Sequence, residues 1–121
     1  VHALAHTLGG LYDMPHGRAN AVLLPVMLEA YGPAACKRLA ELADVLGLCP
    51  TGSQAEKARA FIDAIYRMNR ALGIPECFPC IRPEDLPQMA AWAEAEANPV
   101  YPVPVIFGKE DFIRVARRVM K

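Results

Sequence analysis

His2-Ala3-Leu4-Ala5-His6-Thr7-Leu8-Gly9-Gly10, followed by Pro15-His16-Gly17-Arg18-Ala19-Asn20-Ala21 and Leu23-Leu24-Pro25, opens the chain and decides how the rest is read. The first stretch predicts a helix over residues 1 to 8 stopped at Gly9-Gly10, because glycine alone accepts the left-handed conformation cheaply. Pro15 stands where a second helix can begin, since the N–H it lacks would have no partner in a first turn. Ala19, Val22, Leu23, Val26 and Met27 carry that helix to about Tyr31, with a kink expected at Pro25.

Outward from this pair the helical period continues. After Gly32-Pro33 a third helix sets Cys36, Leu39, Ala43 and Leu46 at three and four spacing, with Lys37, Glu41 and Asp44 on the far side, and Gly47 ends it. Ser53 and Glu56 form a capping box ahead of the stripe Ala58, Phe61, Ile62, Ile65, Met68 and Leu72, which Gly73 and Pro75 close. Pro83, Glu84 and Asp85 mark a further N-terminus, whose helix is expected to bury Leu86, Met89, Ala90 and Ala93 before Asn98-Pro99 breaks it. From 99 to 107 Pro alternates with Val, Tyr and Ile. That pattern predicts an extended strap over the bundle rather than a sheet strand, because Pro cannot donate to a ladder. A last helix over about Lys109 to Met120 buries Phe112, Val115, Ala116 and Val119 and leaves Arg114, Arg117, Arg118 and Lys121 on a solvated face. The fold class is therefore all-α, a single multi-helix domain over residues 1–121.

Composition bounds the partners. The 121 residues carry 13 basic and 13 acidic side chains, for a formal charge of zero, and 54% are hydrophobic. Zero net charge gives no electrostatic footprint for nucleic acid or an acidic membrane surface. The uncharged run Ala19 to Leu28 falls short of the roughly 20 residues a bilayer span needs. No signal peptide is visible ahead of the first helix, so a cytoplasmic location is expected. Val1 and His2 lack a capping residue before them and read as mid-helix, so a fragment of a longer protein is expected. Cys36, Cys49, Cys77 and Cys80 are too few and too irregular for a disulfide scaffold. Cys77-Phe78-Pro79-Cys80 reads as two reduced thiols in a Pro-bounded loop, with a redox or metal role as the alternative.

All three histidines lie within the first 16 residues. His2 and His6, four apart, share one face of a helix, and His16 falls in the first turn of the next. Two antiparallel helices joined by a short turn can aim three imidazoles at one point, which suits Zn, Fe(II) or a similar ion. Spacing alone leaves open the alternative of ordinary surface or capping histidines, because the pattern lacks the glutamate of HExxH.

The same residues closely resemble the C-terminal signature of the iron-containing (group III) alcohol dehydrogenases. The resemblance continues through Asp85-Leu86-Pro87, Asn98-Pro99 and the final short helix, and so covers essentially the whole chain. It implies the helical C-terminal domain of the dehydroquinate synthase-like arrangement, in which an N-terminal dinucleotide-binding domain comes first and the metal lies in the cleft between the two. Carried over, it makes His2 and His16 ligands to Fe(II) or another divalent metal such as Zn, with His6 beside the substrate assisting proton transfer. Two further ligands, an Asp and a His, belong to the missing N-terminal domain, as does most of the NAD or NADP site. The implied substrate is a small alcohol or aldehyde, and the chain alone is expected to be inactive. Two other classes compete: a helical interaction module that binds a protein or self-associates into a homo-oligomer through exposed apolar faces, and a small metal-binding protein with a complete site. Equilibrium metal titration separates these, since a half-site binds divalent ions weakly.

Overall fold

The computed structural model describes residues 1–120, which contain six α-helices and no strand. They are α1 (His2–Tyr12), α2 (His16–Tyr31), α3 (Pro33–Val45), α4 (Gln54–Ala71), α5 (Leu86–Ala97) and α6 (Lys109–Arg118), with a 3-10 turn, Pro83–Asp85, leading into α5. Lys121, expected on the basic face of the last helix, lies outside the described residues.

The main core is built by α1, α2, α5 and α6. Leu4 and Leu8 of α1, Leu23 and Met27 of α2, Met89 of α5 and Val115 of α6 are all essentially inaccessible to water. Leu86, Met89, Ala90 and Ala93 are buried as expected, and so are Phe112, Val115, Ala116 and Val119. The small residues Ala3, Ala5, Ala19, Ala90, Ala93 and Ala116 let these helices approach closely while still excluding water. Pro25 is buried within an unbroken α2.

The α3 and α4 hairpin forms a second, thinner core around Ala35, Leu39, Ala58 and Ile62, with Leu28 and Tyr31 of α2 joining it to the rest. The capping box ahead of α4 is present: Ser53 Oγ accepts from Glu56 N–H and Glu56 accepts from Ser53 N–H, both at 3.2 Å. Gly32 (φ +56) supplies the left-handed conformation that separates α2 from α3.

Three expectations are corrected. Gly9-Gly10 does not stop α1, which runs through both glycines to Tyr12 and ends at Asp13 in the left-handed region. Asp13 N–H donates to Gly9 C=O at 3.0 Å, so a glycine pair that would be a stop in isolation is held helical by the packing of Leu4 and Leu8. Leu46, Met68 and Leu72 are 62%, 60% and 69% exposed rather than buried. The helix α4 has 18 residues and α3 has 13, so the last turns of α4 overhang its partner, and Leu46 lies past the end of α3. Finally, the 99–107 strap opens with a turn and contains bends. It turns Val105 and Phe107 onto the core and leaves Val100 and Ile106 in solvent.

Side-chain hydrogen bonds fix how the loops sit on the bundle. Tyr12 donates to Asp85 Oδ2 at 2.6 Å and accepts from Arg82 N–H at 3.1 Å, tying the end of α1 to the start of α5. The Asn98 amide donates to Phe107 C=O at 2.9 Å, closing the strap upon itself.

Candidate metal centre

His2 and His6 project from successive turns of α1, and His16 is the first residue of α2. Because α1 ends at Asp13 and only Met14 and Pro15 separate it from His16, the chain reverses tightly and brings the start of α2 beside α1. All three imidazoles are exposed on one face. Their ring centres form a triangle: 5.2 Å between His2 and His16, 5.3 Å between His6 and His16, and 6.0 Å between His2 and His6.

A metal lies in the plane of each imidazole that binds it, about 3.2 Å from the ring centre, so two rings at a tetrahedral angle have centres roughly 5 Å apart. The His2 and His16 centres are close to that spacing, with planes tilted by 55°. The His6 and His16 planes are 20° apart, and those of His2 and His6 are 75° apart. Ring spacing thus brings all three imidazoles together on one face. Among the described residues no three His, Cys, Asp or Glu side chains are arranged to hold a metal by themselves.

Each outer histidine has a polar neighbour. The Asn20 amide N lies 3.1 Å from His16 Nε2 and donates to His16 C=O at 2.9 Å, one turn along α2. Asn20 Oδ1 is buried without a partner. His6 Nδ1 lies 2.5 Å from Glu96 Oε1, and the same oxygen accepts from Tyr101 O–H at 2.8 Å. Partial burial pushes the Glu96 carboxyl upward, but the bonds from Tyr101 and His6 outweigh it and hold Glu96 below its ordinary value.

The sequence pattern of the Fe-containing alcohol dehydrogenase family, C-terminal part, matches residues 1–120. The chain belongs to this family. Its relatives in the family include 1,3-propanediol dehydrogenase of Klebsiella pneumoniae, 43% identical over 101 residues that make up 81% of this chain and 26% of that protein. Alcohol dehydrogenase 4 of Saccharomyces cerevisiae is 38% identical over 98% of this chain and 30% of its own length. Among solved structures, a 1,3-propanediol oxidoreductase superposes with a TM-score of 0.89 at 36% identity, covering 98% of this chain and 31% of that one. The alcohol dehydrogenase from Oenococcus oeni gives 0.87 at 34% identity, with the same coverage. The chain therefore spans less than a third of the length of these family members.

Glu96, Tyr101 and Asn20 were not singled out from the sequence. Asn20 sits four residues after His16, a spacing that places it on the same face, so it was open to inference. Glu96 is 90 positions from His6, and nothing in local pattern links them. A cleft of about 670 Å³ is lined by Arg59, Asp63, Tyr66, Arg67, Arg70 and Arg118 and contains none of the histidines. Arg59, Arg70 and Arg118 are each engaged by a carboxylate, which leaves that cleft a surface ion-pair network.

Proposed function

We propose that this chain is the metal-ligand-bearing C-terminal part of a metal-dependent, NAD(P)-linked alcohol dehydrogenase that interconverts small alcohols with aldehydes or ketones. The observation that carries the proposal is the convergence of His2 and His16 from two helices onto one exposed face, with His6 alongside, within a chain of this family. His2 and His16 supply two ligands, and an Asp and a His from a preceding dinucleotide-binding domain complete the set. Fe(II) is the expected ion, with Zn chemically compatible with the same donors. Bound there, the ion supplies Lewis-acid stabilisation of the negative charge that develops on an alcohol oxygen as its proton leaves.

The residues of this chain do the rest by position. Asn20 steadies the first turn of α2 beside His16, and the short Asp13-Met14-Pro15 connection holds α1 and α2 at a fixed distance. His6, on the same face, would take the alcohol proton and pass it outward, and NAD(P)+, when bound, would supply the hydride acceptor. Since the hydride acceptor is held mainly by the preceding domain, the 121-residue chain alone has no turnover.

The test compares the chain with the longer protein that carries it. The longer protein is expected to reduce NAD(P)+ with simple alcohols, to lose that activity on chelation and to regain it with Fe(II) or Zn(II), while the 121-residue chain gives no NAD(P)H under any of these conditions. Chelator-insensitive turnover by the longer protein, or steady turnover by the chain alone, contradicts the proposal.

A further inference from the structure

We propose that Glu96 is the positioning residue of His6, fixing which ring nitrogen carries the proton and leaving the other free to exchange one at the histidine face. The inference rests on the proton-transfer role given to His6 above. Glu96 Oε1 lies 2.5 Å from His6 Nδ1 and accepts from Tyr101 O–H at 2.8 Å, so the carboxylate is itself oriented by a second donor. An ionised carboxylate can only accept, and the proton of this short contact therefore belongs to Nδ1. His6 is held as the Nδ1–H tautomer, and Nε2 carries the lone pair.

The arrangement joins distant parts of the fold. Glu96 comes from the end of α5 and Tyr101 from the 99–107 strap, and both bear on a residue of α1. Among the described residues neither His2 nor His16 makes a hydrogen bond or ion pair with a carboxylate, so the device is particular to His6. The His6 side chain is 47% exposed and would swing among several rotamers without an anchor. A carboxylate also stabilises the imidazolium formed when Nε2 takes up a proton, which is the charge such a relay must carry briefly.

Long-range 1H–15N correlation spectra of the 15N-labelled chain, recorded where the imidazoles are neutral, read each histidine tautomer directly. His6 is expected as Nδ1–H, and Glu96→Ala is expected to shift it toward the Nε2–H form. Glu96→Gln, nearly isosteric, should keep the tautomer but move the Nδ1 proton resonance upfield as the charge-assisted bond is lost. In the longer enzyme, Glu96→Ala should lower kcat about 10-fold with KM and metal content unchanged. A wild-type His6 found as Nε2–H overturns the proposal, as does a spectrum unaltered in both variants. Metal lost in Glu96→Ala as fully as in His16→Ala also overturns it. If Glu96→Ala fails to fold, the wild-type tautomer and the Glu96→Gln resonance still decide. Should His6→Ala turn over normally, it is the proton-transfer reading that fails, and the tautomer measurement stands apart from it.

Discussion

The rings of His2 and His16, the first residues of two successive helices, lie with centres 5.2 Å apart and planes tilted by 55°. That relationship depends on where α1 ends. The helix passes through Gly9 and Gly10 and is turned only at Asp13, so the histidine face is set by the packing of Leu4 and Leu8 rather than by a flexible glycine hinge.

It follows that Gly10 can be replaced. A Cβ built at Gly10 meets nothing within 4 Å, and its backbone is helical. Gly10→Ala should therefore stabilise the isolated chain by about 0.5–1 kcal/mol, through the smaller conformational freedom of the unfolded chain. Urea denaturation checks this. A destabilised variant would show that Gly10 is needed as a hinge after all.

Core and overhang should respond differently to truncation. Leu8 is fully buried in the main cluster, so Leu8→Ala should cost about 2–5 kcal/mol. Leu72, at 69% exposure, should cost no more than about 0.5 kcal/mol on the same change. Equal losses in the unfolding free energies would mean that the end of α4 is covered in solution.

The helices were legible because their periodicity, caps and breakers agree. Ser53 with Glu56, Gly32-Pro33 and Asn98-Pro99 all fall at boundaries of helices in the fold. What local pattern could not tell was length relative to a neighbour. The stripe through Met68 and Leu72 has the right period, but burial there depends on α3 being as long as α4, which it is not. Gly9-Gly10 does not act as a stop for a related reason: tertiary packing overrides the local signal. The histidine cluster was visible because its members are close in sequence. Glu96 was not, because only the folding of α5 against α1 brings it to His6.

Glu29 ties α2 to α4 and α6. Burial pushes its carboxyl upward, but hydrogen bonds and charges from Arg118 and Arg59, with Tyr66, outweigh this and hold it below its ordinary value of 4.5. A carboxylate lowered on folding contributes stability that is present above its unfolded value and lost as pH falls through its folded value. Wild-type stability should thus decline on acidification below about pH 4.5, and Glu29→Gln should be less stable at neutral pH, the gap between the two narrowing as pH falls through the lowered folded value. Parallel pH profiles of the urea midpoint would show that these ion pairs contribute nothing beyond surface screening.

In the proposed site His2 and His16 hold the metal and His6 does not. Metal analysis of the proposed longer dehydrogenase carrying His2→Ala, His16→Ala or His6→Ala decides between these roles. Loss of one of four protein ligands should lower affinity by orders of magnitude, at about 1.4 kcal/mol per tenfold. The first two variants are therefore predicted to purify without metal, and the third to retain it while turnover falls. Full metal content after the loss of His2 or His16, or metal lost equally in all three variants, would contradict the assignment.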